Sequence, residues 1–363
     1  MPGPNVTPHS SGSSGSSHSP RSHRSPHTPH TPRSYRSRYW SQLPPAAGAA
    51  VMATGIVSVG LHTVGPEALS VLLLALGSAL WLVLAYDYTD RFVRDRARWE
   101  READSPPALT AVAATTVLGT RYALLGWDWL AGVLLVIAVV VWPVLLYVVV
   151  RHWRPRMPGA VFLGTVATQG LAVLGATLSA RLGVAWLGYA AMVMFWFGLV
   201  VYVAAFMRFE LRQVLTGAGD HWVAGGALAI STLAAAKLVL ADRAEGLWNT
   251  DESQVLRDMC GLLLASAAAW YVVLAVAELV EPRPRYDVRR WSTVFPMGMT
   301  AAATLAVATA VDTSWLTGPG RVLVWIGLAA WLAAAVGAGR VVRRASRGAH
   351  GTKTPTVRST GPR

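Results

Sequence analysis

The chain has 363 residues, 53% hydrophobic and only 14% charged, with a formal net charge of +13. Soluble domains carry about one charged residue in four, so this composition excludes an ordinary water-soluble fold. Apolar runs of about 20 residues, the length that crosses a hydrocarbon core of ~30 Å, recur between residues 46 and 344 and predict a polytopic membrane protein.

Residues 1–45 come first and are of another kind. SSGSSGSSHSPRSHRSPHTPHTPRS is rich in Ser, His, Pro and Arg and has too few aliphatic residues to order itself by burial. Its polar leader is too long for a signal peptide. Five of the nine histidines lie here, irregularly spaced and without cysteine, which favours a plain disordered cytoplasmic tail over a metal-binding one. Ten spans then follow in an all-α transport domain, 46–344, near 46–65, 67–86, 108–127, 130–149, 159–178, 186–205, 222–241, 259–278, 292–311 and 322–341. A basic polar cytoplasmic tail, 345–363, ends the chain. With the N-terminus in the cytoplasm, 26 of the 32 Lys and Arg fall in cytoplasmic segments. That asymmetry places both termini inside. It also assigns the positive charge to membrane topology and not to nucleic acid. The acidic residues Asp242, Glu245, Asp251 and Glu252 fall in the outer loop between spans seven and eight.

The spans alternate in character. The odd-numbered windows hold 14 threonines and the even-numbered ones none, whereas seven tryptophans lie in even windows against two, Trp127 and Trp222, each at the edge of an odd one. The chain reads as a helical hairpin, small-faced then bulky, repeated five times. Small residues let membrane helices approach closely in any bundle. The regular alternation favours two concentric rings instead, with bulky helices toward lipid and Thr-bearing helices around a central path, where hydroxyls solvate a passing ion.

Three stretches carry a resemblance. VMATGIVSVG (51–60), GTVATQGLAVLGA (164–176) and WSTVFPMG (291–298), with Trp291 four residues before Phe295, resemble helices one, five and nine of the tellurite-resistance/dicarboxylate transporter family. That family includes the slow anion channels of plant guard cells and the fungal malate and sulfite permeases. The resemblance implies five hairpins about a pseudo-fivefold axis, a homotrimer with one pore per subunit, and a pore blocked by a Phe that corresponds to Phe295. Pro296 cannot donate to the Ser292 carbonyl, so a bend is expected there. Thr54, Thr115, Thr116, Thr168, Thr232 and Thr304 are the candidate lining hydroxyls. Gln169 is either a contact for the anion or a link between helices.

Arg121 and Lys237 are the basic residues well within spans. Either they snorkel to the outer headgroups or they draw anions into an outer vestibule. Asp87, Glu278 and Glu281 read as surface ion pairs near cytoplasmic arginines. No histidine lies in mid-span, which disfavours a haem cytochrome, and no nucleophile, phosphate-loop or metalloprotease motif is present. The expected function is anion transport through an inner or plasma membrane without cofactor. A channel-like path is expected, with a proton-coupled carrier of dicarboxylate, sulfite or tellurite as the alternative.

Overall fold

A computed structural model describes residues 47–96, 105–282 and 286–343, with the backbone of the last helix continuing to Gly351. The expected tails lie outside the described residues, apart from that stretch of helix. The long helices are α1 (Gly48–Val64), α2 (Glu67–Arg94), α3 (Thr110–Leu124), α4 (Asp128–Arg151), α5 (Leu163–Leu182), α6 (Ala185–Phe206), α7 (Val223–Glu245), α8 (Thr250–Val280), α9 (Trp291–Ala310) and α10 (Thr317–Gly351). Among the described residues there is no strand, only an isolated bridge between Met157 and Phe209.

Eight of these helices are long and apolar enough to cross a membrane, while α1 and α3 have 17 and 15 residues. The protein is an all-helical, multi-pass membrane protein. Most helix bounds fall close to the expected spans, with one instructive difference at α8. It starts at Thr250 because Asn249 accepts from the backbone N–H of Glu252 while the Glu252 side chain accepts from that of Asn249, a reciprocal cap. The four acidic residues assigned to an outer loop therefore lie in helix: Asp242 and Glu245 end α7, and Asp251 and Glu252 open α8.

The odd- and even-numbered helices divide by burial. The apolar stretches of α5, α7 and α9 are 78–100% buried, whereas those of α2, α4, α6, α8 and α10 are 22–28% buried. Each odd-numbered helix packs against the even-numbered helix that follows it, and the odd-numbered ones touch in a closed cycle, α1–α3–α5–α7–α9–α1. Small residues permit this closeness. A Cβ on Gly170 of α5 would lie 2.3 Å from the Thr116 hydroxyl of α3, and one on Gly298 of α9 would lie 2.9 Å from Ile56 of α1. The turns from odd to even helix are short, and each contains a residue with positive φ: Gly65, Gly126, Gly183, Gly246 and Asp312. Four times the chain uses glycine, which reaches that region without a Cβ penalty. At the fifth, Asp312 takes it and pairs with Arg243.

Candidate functional site

The five mutually packed helices border one small space. Ile56 and Val59 of α1, Val173 of α5 and Met299 of α9 line it. Thr116, Val117 and Thr120 come from α3, and Ile230 and Leu233 from α7. Its volume of ≈10 Å³ has room for about one water molecule. No bordering side chain is charged or titratable. A larger cavity, ≈350 Å³, lies between the start of α1 and α2, α3 and α4, beside Trp81, Tyr88 and Arg91. No residue of α5, α7 or α9 reaches that cavity, so it lies to one side of the central space.

Phe295 is wholly buried one helical turn before Met299, on the same face of α9. A Cβ on Gly226 of α7 would lie 3.4 Å from its ring and 2.7 Å from Cγ of Pro296, so the missing side chain at 226 is what lets this step of α9 lie against α7. The helix runs unbroken through Pro296. The Thr300 hydroxyl donates to the Pro296 carbonyl at 2.9 Å. Trp291 turns elsewhere: its indole N–H donates to the Tyr286 hydroxyl and its ring meets Trp331 of α10 edge-on.

The candidate threonines have their hydroxyl protons engaged within their own helices. Thr54, Thr115, Thr168, Thr232 and Thr304 each donate to the carbonyl four residues earlier, at 2.7–2.9 Å, and Thr116 donates to Ala113 at 3.0 Å. A hydroxyl has one proton, so each of these presents lone pairs rather than a donor. Three of them also accept an indole N–H at 2.9 Å: Thr115 from Trp81, Thr168 from Trp142 and Thr54 from Trp331. In each case an even-numbered helix reaches the odd-numbered helix of the next pair, with α10 closing onto α1. These three hydroxyls lie between helices, whereas Thr116 and Thr120 border the central space.

Gln169 is wholly buried against α6, where its amide donates to the Phe195 carbonyl at 3.0 Å beside Gly198. Arg121 is wholly buried too. Its Nη2 donates to Glu67 at 2.5 Å, and Nε and Nη2 donate to the Ser70 hydroxyl at 3.1 and 2.9 Å. Ser70 and Ser58 exchange hydroxyl-to-carbonyl bonds at 2.7 Å, and His62 meets the second oxygen of Glu67. Arg121 is thus held by α2 and does not extend to a surface. Lys237 is half-buried on α7 and has no hydrogen bond or ion pair among the described residues. Asp87 pairs with Arg91 and Glu278 with Arg290, so the expected pairing is present, but Arg91 is buried and the other three groups are only partly exposed, not at the open surface.

Residues 42–338 match the sequence profile of the voltage-dependent anion channel family. The chain belongs to that family. Membership agrees with the resemblance drawn from the first, fifth and ninth helices, because the family takes in tellurite-resistance and dicarboxylate transporter relatives. It implies anion transport across a membrane, by channels and transporters rather than enzymes. A search among curated proteins found no match. Of the nine residues bordering the central space, sequence reasoning named only Thr116 and missed Ile56, Val59, Val117, Thr120, Val173, Ile230, Leu233 and Met299. Met299 had a signal, its place four residues after Phe295, and Thr120 had one in its hydroxyl on an odd-numbered helix; the others are ordinary aliphatics in apolar runs.

Proposed function

We propose that the protein conducts small anions across a cell membrane along the axis of its five small-residue helices. In this reading ten helices span the bilayer as five hairpins with pseudo-fivefold symmetry, with both termini in the cytoplasm and three copies forming a homotrimer with one path each. Phe295, with Pro296 behind it, closes the path from the cytoplasmic half, and the Met299 layer closes it again one turn further out. The observation that carries this reading is the nearly water-free, uncharged space bordered by all five odd-numbered helices. An anion entering such a space loses its water with nothing to replace it, at a cost of several kcal/mol. The path is therefore shut as it stands, in the manner of a hydrophobic gate. No titratable side chain borders that space, which favours a channel-like route over proton coupling.

The test is anion flux in proteoliposomes for wild type, Phe295→Ala, Met299→Ala and the double variant, each with and without a pH gradient. Chloride, nitrate, sulfite and malate are the anions. The expected result is a large rise in flux for the double variant, independent of the gradient and selective for anions over potassium. Transport of one anion by wild type only with a proton gradient, abolished by Phe295→Ala, identifies a coupled carrier instead. Absence of anion flux from every variant overturns the reading.

A further inference from the structure

We propose that Lys237 is the principal binding group for the transported anion, holding it just beyond the apolar constriction. The inference rests on the anion-path reading and adds a specific site to it. Ile230 and Leu233 of α7 border the central space. Lys237 follows Leu233 by four residues and Ile230 by seven, so the three share one face of the helix. Lys237 lies eight residues before the end of α7, about 12 Å along the axis at ~1.5 Å per residue. Its ammonium therefore stands on the path-facing side of α7, beyond the layer where the path is closed.

Lys237 combines half-burial with the lack of a partner, whereas Arg257 and Arg321 at this end of the molecule are exposed to water. Arg121 pairs with Glu67, Arg181 with Asp128 and Arg243 with Asp312. The remaining carboxylates that end α7 are also occupied. Asp242 accepts from Ser253 and from the Trp248 backbone, and Glu245 accepts from Ser179. Lys237 has none of these partners, and a half-buried cation without a counter-charge is costly. A small anion supplies the counter-charge.

The hydroxyls strengthen the assignment. Thr120, which borders the space, donates to the Thr116 carbonyl, and Thr177, four residues beyond Val173, donates to Val173. With those protons engaged, the nearby threonines offer an anion only lone pairs. The Lys237 ammonium carries three N–H donors and no acceptor, so it provides the donors that the threonines lack. The ligand class is a small monovalent anion such as chloride or nitrate, because a single ammonium balances a single charge.

The test uses purified full-length protein and the variants Lys237→Met and Lys237→Arg. At fixed ionic strength, with gluconate as the bulky control, chloride or nitrate is expected to raise the melting temperature of wild type and K237R. No such rise is expected for K237M. In proteoliposomes, K237M is expected to raise the half-saturating anion concentration about tenfold and to lower anion-over-potassium selectivity, with K237R within about twofold of wild type. Equal anion protection and equal saturation in wild type and K237M overturn the proposal. If K237M fails to fold, Lys237→Gln is read by the same two measurements. Anion protection that depends on Lys237 in a protein with no flux refutes the transport reading alone.

Discussion

Removing the charge of Glu67 is expected to destabilise the protein more than removing the charge of Arg121, although the two face each other. The Arg121 side chain is 0% exposed and that of Glu67 is 45% exposed. Glu67→Gln leaves a guanidinium wholly buried, with the Ser70 hydroxyl as its remaining strong acceptor. Breaking a buried pair from one side costs about 3–5 kcal/mol. Because Glu67 is half in water and its attraction is screened, the cost falls to or below the bottom of that range, about 2–3 kcal/mol. Arg121→Met instead removes the buried charge itself. Glu67 keeps His62 and water, and Ser70 still donates to the Ser58 carbonyl. What is lost is a set of hydrogen bonds, about 1 kcal/mol net. With the buried charge gone, the double variant should cost about as much as Arg121→Met alone, about 1 kcal/mol, giving a coupling of about 2–3 kcal/mol. Reversible unfolding in mixed micelles measures all four proteins. An Arg121→Met variant as costly as Glu67→Gln, or strictly additive effects, would refute the reasoning.

Trp331→Phe removes the indole N–H that Thr54 accepts across α10 and α1. A loss of about 1 kcal/mol is expected, and Thr54→Val in that background should add little, which a double-mutant cycle in the same micelles checks. Gly183 has φ +64, and a Cβ added there would meet nothing within 4 Å, so Gly183→Ala is a pure backbone penalty of about 1–2 kcal/mol. Unfolding should register that penalty with flux unchanged. Asp287 caps the turn before α9 by accepting the Arg289 backbone N–H at 2.9 Å, and Asp287→Ala is expected to cost about 1 kcal/mol. The Arg289 side chain first, and its backbone N–H after it, hold the Asp287 carboxyl below its usual range. A depressed folded-state pKa gives stability that is complete above the unfolded value and is lost as pH falls through the folded one. The variant's deficit should therefore be constant from about pH 5 to 8 and shrink below about pH 4, as unfolding at each pH will show.

The sequence by itself determined the class of protein, the approximate bounds of most of the long helices among the described residues, and the alternation of small and bulky ones. Those features follow from composition and from periodicity along a single helix, both local quantities. It could not determine which residues meet. Threonines of the odd-numbered windows and tryptophans of the even ones were separate tallies, yet Trp81, Trp142 and Trp331 are bonded to Thr115, Thr168 and Thr54. Arg121 looked like a candidate for the outer headgroups because its partners, Glu67 and Ser70, lie more than 50 residues earlier in the chain. The helix periodicity shows that one face of α7 carries Ile230, Leu233 and Lys237, but which face looks inward depends on the neighbours that cover the others. Packing the five helices into a closed cycle supplied that answer, because each neighbour covers a different flank and leaves one face for the centre.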